Sequence, residues 1–138
     1  MKVKIFTDGG SRGNPGVAGF GVVVFNDKNE IIFKNSGYLG IKTNNEAEYG
    51  GLISAVEWLK ENEMGYKMDE VEFNADSELM IKQMQGIYKV KAGNLRDLYL
   101  QVTELLLDVK SKISFKAIRR EYNSLADELA NEAMDRKL

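Results

Sequence analysis

The stretch Val3–Thr7, apolar and β-branched with lysine interleaved, reads as a strand, and it runs directly into Asp8-Gly9-Gly10-Ser11. A strand that delivers an aspartate and then two glycines constrains this chain more than any other local feature. The glycines are expected to end the strand, leaving the Asp8 carboxylate rigid and facing open space. Asp-Gly is also a common turn pair, so Asp8 taken alone is open to both readings. What separates them is whether other carboxylates reach the same place.

Several elements bear on that question. Ala18–Phe25 and Glu30–Tyr38 read as strands of a hairpin around Asn26–Asn29. Thr43-Asn44-Asn45-Glu46 is a capping box, Thr43 capping and Glu46 reaching back, and the helix it opens runs to about Asn62. Its apolar stripe is Leu52, Ala55, Val56 and Leu59, and one turn back the stripe lands on Glu48. Glu46 lies about 200° around the helix from Glu48 and points elsewhere. A carboxylate on the buried edge of a helix is costly unless a charged partner awaits it.

Val71–Ala75 is a fourth strand, and it too ends in an aspartate, Asp76. A helix follows from Ser77 to about Gln85, then a loop over Gly86–Gly93 and a helix capped by Asn94 running to about Lys110. Ile113–Ile118 is the fifth strand. The last helix is capped by Asn123 or Ser124, with Leu125, Ala126, Leu129, Ala130 and Ala133 as its packing face and Asp127 in its first turn. The order β-β-β-α-β-α-α-β-α requires parallel pairing across its β-α-β portions and antiparallel pairing in its hairpin. The class is therefore α/β with a mixed sheet, and 138 residues suit one domain, 1–138.

In an α/β sheet, functional groups collect beyond the carboxyl ends of the strands. If the first and fourth strands are parallel neighbours, Asp8 and Asp76 stand about 4.8 Å apart, with Glu48 and Asp127 in reach of the same edge. Each also has a plain reading. Asp76 can cap the helix after it, Asp127 can complement a helix dipole, and Glu48 can sit half exposed at the border of its stripe. Four converging carboxylates would repel and raise one another's pKa, a conflict that divalent cations resolve. The chain contains no histidine and no cysteine, so the usual general base and the usual transition-metal ligands are missing. An oxygen-only site favours magnesium, manganese or calcium.

Net charge is −2, which is neutral on the question of nucleic acid. Two local runs say more. Lys82–Arg96 holds Lys82, Lys89, Lys91 and Arg96 without an acidic residue, and Val109–Arg120 holds Lys110, Lys112, Lys116, Arg119 and Arg120. Such runs bind phosphate or are solvated faces. No stretch reaches membrane-spanning length and none resembles a signal peptide, so a cytoplasmic location, no membrane partner and a monomer are the default expectations.

Four segments in register then carry a resemblance. Thr7-Asp8-Gly9-Gly10-Ser11 with Gly13-Asn14-Pro15-Gly16, Thr43-Asn44-Asn45-Glu46-Ala47-Glu48, Asp76-Ser77, and Arg120–Asn131 with its Asp127 resemble type 1 ribonuclease H in order and spacing over nearly the whole chain. The resemblance implies a ribonuclease H-like fold, a five-stranded mixed sheet flanked by helices on both faces. It implies endonucleolytic cleavage of the RNA strand of RNA/DNA hybrids, with 5′-phosphate and 3′-hydroxyl products. The family's acidic ligands fall on Asp8, Glu48, Asp76 and Asp127. They would hold two Mg2+ ions about 3.5–4 Å apart, with Mn2+ as a substitute, one activating water and one stabilising the leaving oxygen.

Asn14, Asn45 and Glu48 match positions that meet the minor groove and its 2′-hydroxyls. Thr43 and Asn14, with Arg12 nearby, match the region that grips a phosphate of the DNA strand. The glycines after Asp8 then read as backbone slack for a close-approaching nucleic-acid strand. Two departures stand out. Many relatives carry a loop histidine before the last aspartate, and here Arg120 stands nearest that place. The segment Gly86–Gly93 is shorter than the basic protrusion of some relatives, with Lys89 and Lys91 either a reduced hybrid-binding patch or a solvated loop. Two other functions compete with this one: a non-catalytic nucleic-acid-binding module on the same fold, and a nuclease of broader duplex preference that includes double-stranded RNA.

Overall fold

In the computed structural model, which describes residues 1–91 and 93–138, five strands and four helices follow the expected order. The strands are β1 (Lys2–Gly13), β2 (Gly16–Phe25), β3 (Ile31–Lys42), β4 (Glu70–Ala75) and β5 (Lys112–Ala117). The helices are α1 (Asn44–Asn62), α2 (Glu78–Met84), α3 (Gly93–Leu106) and α4 (Ser124–Arg136), and one short 3-10 turn (Arg120–Tyr122) precedes α4. Ala92, inside the expected Gly86–Gly93 loop, lies outside the described residues.

The sheet order is β3-β2-β1-β4-β5. β1 is antiparallel to β2 and parallel to β4, and β4 is parallel to β5. The mixed sheet follows from the connections: β2 and β3 turn back through tight hairpins, while β4 and β5 are each reached through helices. Phe6 lies opposite Asn74 in the β1–β4 register, so two residues further along each strand arrives at its aspartate. The adjacency of the first and fourth strands, left as a condition by the sequence, is thus met.

β1 is longer than the sequence suggests. Gly9 and Gly10 do not break it; they stay paired with Phe20 and Gly19 of β2, and the ladder continues to Gly13 opposite Gly16. A partner strand on one side supplies the hydrogen bonds that the glycines' low propensity would otherwise forgo. The two faces of the sheet are covered by different helices. In β2, Gly19 and Gly21 face Ala126, Ala130 and Ala133 of α4, while Phe20 touches Gly51 of α1, the two-residue alternation of a strand. Val3, Ile5, Val22, Val24, Val71 and Phe73 form the core with Leu52, Ala55, Val56 and Leu59 of α1, the predicted stripe.

The start of α1 is as read. Thr43 Oγ1 accepts from Glu46 N at 3.2 Å, and Glu46 Oε1 accepts from Thr43 N at 2.9 Å. The ends of two other elements differ. α3 stops at Leu106 and not near Lys110: the amides of Leu107, Asp108 and Val109 bond three residues back, and those of Lys110 and Ser111 donate to the buried Glu63 carboxylate at 3.0 and 3.1 Å. At α2, Ser77 and not Asp76 caps the helix, its Oγ accepting from Met80 N at 3.3 Å, so Asp76 takes no part in the cap.

Candidate active site

Asp8 comes from the middle of β1, where Gly9 turns toward α1 and Gly10 toward Met134 of α4. Glu48 comes from the second turn of α1, and Asp76 from the end of β4. One oxygen from each of these three carboxylates lies within 4.8 Å of the others. Asp127, in the first turn of α4, is outside that trio but lines the same cleft and is near enough to raise the Asp8 carboxyl. The cleft has a volume of about 690 Å³.

The electrostatics are those of carboxylates crowded together, with Arg120 at the rim as a counter-charge to Asp76 alone. Asp8 and Glu48 are 6% and 9% exposed. Burial first, then the neighbouring Asp76 charge and the contact with Asp127, push the Asp8 carboxyl up to about 8. Burial, then the charges of Asp8 and Asp76, raise Glu48 well above the usual carboxylate range. Asp76 is also raised by burial, and the Arg120 guanidinium, with Nε 4.0 Å from Asp76 Oδ2, pulls it back down. Glu48 Oε2 is buried with no hydrogen-bond partner among the described residues. An orphaned carboxylate oxygen facing two further carboxylates is the donor set of a hard divalent cation. The residues fit such an ion.

The expected contact residues divide into two groups. Arg12, Asn45 and Arg120 line the cleft with the carboxylates. Arg12 is tied down, its Nη1 2.6 Å from Asp135 and its Nη2 3.4 Å from Asn131 Oδ1, both on α4. Arg120 is 87% exposed at the cleft mouth. Asn14 sits at the tip of the β1–β2 hairpin, where its Oδ1 accepts from Asn44 N at 3.1 Å. Thr43 is engaged as the cap of α1. Lys89 and Lys91 line a separate depression beside α2 and the start of α3, which none of the four carboxylates borders.

Two residues of the cleft went unassigned in the sequence. Asn44 Oδ1 accepts from Ser11 N at 2.8 Å, which with the Asn14 contact fastens the hairpin to the start of α1. Asn131 steadies Arg12 and donates to the Asp127 carbonyl at 3.0 Å. Both lie inside the resembling segments, but only the long-range contacts distinguish them from ordinary polar helix residues.

A family model described as "Reverse transcriptase-like" matches residues 6–133. The chain is 40% identical over 136 residues to the bifunctional protein Rv2228c of Mycobacterium tuberculosis, a match covering 98% of this chain and 36% of that protein. It is 36% identical over 134 residues to ribonuclease HI of Halobacterium salinarum, covering 97% and 65%. The chain thus spans little more than a third of the mycobacterial relative and less than two thirds of the halobacterial one. Among solved structures, LC11-RNase H1 in complex with RNA/DNA hybrid superposes with a TM-score of 0.91 at 44% identity, over 98% of each chain. With a family model spanning all but the ends and a solved relative matched along nearly its full length, the chain belongs to the type 1 ribonuclease H family.

Proposed function

We propose that residues 1–138 form one ribonuclease H domain that hydrolyses the RNA strand of RNA/DNA hybrids, leaving 5′-phosphate and 3′-hydroxyl ends. The observation that carries this reading is the approach of Asp8, Glu48 and Asp76 to within 4.8 Å in a site that is largely buried yet open to the cleft. Asp8, Glu48, Asp76 and Asp127 would hold divalent cations, two Mg2+ ions with Mn2+ as substitute. When bound, such ions lower the pKa of water and offset charge on the phosphate.

The chain's own residues do the rest. Asp8 and Asp76 are held on paired strands, so their separation is set by the sheet, and Glu48 and Asp127 are brought to them by helices on opposite faces. Arg120 offers an exposed guanidinium at the cleft mouth, a donor to a phosphate that approaches the carboxylates. Asn14 and Asn45, on the hairpin tip and the first turn of α1, present amides toward the 2′-hydroxyl edge of a hybrid. Lys89 and Lys91 extend the contact to a backbone phosphate farther along the duplex. All four carboxylates come from one chain, so a monomer suffices.

A labelled RNA/DNA hybrid incubated with magnesium tests the reading, with Asp8→Asn and Asp76→Asn beside wild type and a chelator control. Wild type is expected to cleave the RNA strand only, and both variants and the chelated enzyme to fail. Variants that cleave as well as wild type would sink the carboxylate assignment. Hybrid binding without cleavage would make the domain a binding module, and equal cleavage of double-stranded RNA would widen its substrate class.

A further inference from the structure

We propose that Asn123 is a positioning residue that sets the Asp127 carboxylate against Asp8, an inference that rests on reading this cleft as a divalent-metal hydrolase site. Asparagine at the residue before a helix ordinarily turns its side chain onto that helix's own first amides. Asn123 precedes α4 and makes no such bond. Its Nδ2 instead donates to the carbonyl of Thr7 at 2.8 Å, joining residues 116 positions apart. The orientation of the amide is dictated by chemistry, because a carbonyl can only accept and the nitrogen must face it.

Thr7 is the residue bonded to Asp8. On its other side, the main-chain carbonyl of Asn123 accepts from Asp127 N at 3.1 Å. A single residue therefore connects the peptide that carries Asp8 to the helical turn that carries Asp127. Asn123 is 1% exposed, and its Oδ1 is buried with no hydrogen-bond partner among the described residues. Burying an amide with half of it unpaired is destabilising in itself, so the bond to Thr7 is what the amide contributes. Phe6, Phe25 and Leu125 line the 110 Å³ cavity beside it, an apolar setting in which one hydrogen bond is strong.

Docking of α4 does not depend on that amide. Ala126, Ala130 and Ala133 seat the helix on Gly19 and Gly21 of β2. Those contacts run along the length of the helix, and the Asn123–Thr7 bond adds a directional tie at its first turn, where Asp127 stands.

The test is a double-mutant cycle on the whole chain: wild type, Asn123→Ala, Asp127→Asn and the double variant. Two quantities are read, Mn2+ binding by calorimetry and steady-state cleavage of a labelled hybrid in magnesium. Asn123→Ala is expected to weaken Mn2+ binding and lower kcat by about tenfold or more, with KM for the hybrid unchanged within about twofold. In the Asp127→Asn background it is expected to add no further loss. Equal losses in both backgrounds, or a loss confined to thermal stability, overturn the inference, as does a wild-type chain that binds no manganese. A wild-type chain that binds manganese but leaves the hybrid intact counts against the hydrolase reading alone, since the binding cycle still decides the positioning role. If Asn123→Ala does not fold, Asn123→Ser, which keeps a donor on a shorter arm, carries the same cycle with the same expected coupling to Asp127.

Discussion

Gly9 of β1 lies directly against the peptide that joins Ala47 to Glu48 in α1: a side-chain carbon at residue 9 would stand 2.2 Å from the Ala47 carbonyl carbon. The same closeness recurs around Asp8. A carbon on Gly21 would meet the Ala126 carbonyl oxygen of α4 at 2.2 Å, and one on Gly51 would meet the Asp8 carbonyl oxygen at 2.9 Å. Helix backbones thus come down onto the sheet on either side of Asp8, and this approach brings Glu48 and Asp127 within its reach. Gly9 serves helix docking here, and the reading of it as slack for a nucleic-acid strand gives way to that.

Gly9→Ala is therefore expected to push α1 and β1 apart. The cost is about 1–3 kcal/mol, the usual penalty for overfilling a packed interior, and hybrid cleavage is lost with it because Glu48 moves relative to Asp8. Gly10→Ala is the control, since its added carbon would meet only the Met134 Cε at 3.4 Å. Urea denaturation and cleavage rates compare the two. A Gly9→Ala protein as stable and active as wild type would contradict the packing account.

The crowding of Asp8 has a thermodynamic consequence in chelator. Its folded pKa is raised from 3.8 to about 8, so the folded state binds the proton more tightly than the unfolded chain. That contribution to stability is full at acid pH and declines as pH rises from about 4 toward 8, by at most about 1.4 kcal/mol per pH unit for one carboxyl. Asp8→Asn should flatten this decline, and magnesium added to wild type near pH 8 should raise Tm. Thermal melts across this range, with and without the ion, provide the measurement; a Tm in chelator that rises with pH over this window would be the wrong sign.

Glu63 behaves in the opposite sense, far from the cleft. Burial alone would raise its pKa, but bonds from Ser111 Oγ at 2.7 Å and from the amides of Lys110 and Ser111 outweigh it and leave the carboxyl lowered. A lowered pKa gives stability that is present above the unfolded value and is lost as pH falls through the folded one. Glu63→Gln should cost about 1–3 kcal/mol near neutral pH by opposing an amide to those donors, and less in acid. Urea midpoints at neutral and acid pH decide it, and an equal cost at both would refute the charged network.

Lys89 and Lys91 are set apart from the carboxylates, so their contribution can be isolated. If both meet phosphate, Lys89→Ala with Lys91→Ala should weaken hybrid binding on every sequence alike. The slope of log affinity against log salt should fall by about 2. An unchanged slope assigns them to a solvated loop. Fluorescence anisotropy at several salt concentrations measures it.

Local pattern alone carried much of this molecule. The order of strands and helices, the mixed sheet, an aspartate after each of two strands and Glu48 on the buried edge of α1 all follow from propensity and periodicity, which act over a few residues. The capping box at Thr43 and Glu46 is equally local. Other features were decided by contacts between residues far apart in the chain. β1 runs through its glycines because β2 pairs with them, and beyond the end of α3 Glu63 captures amides nearly fifty positions away. Arg12 is held by Asp135, and Asn123 leaves its own helix to bond Thr7. Local propensity does not say which partner a residue will meet across the fold, so only the folded chain determines which glycine is a spacer, which asparagine is a tether and which carboxylate is left without a partner.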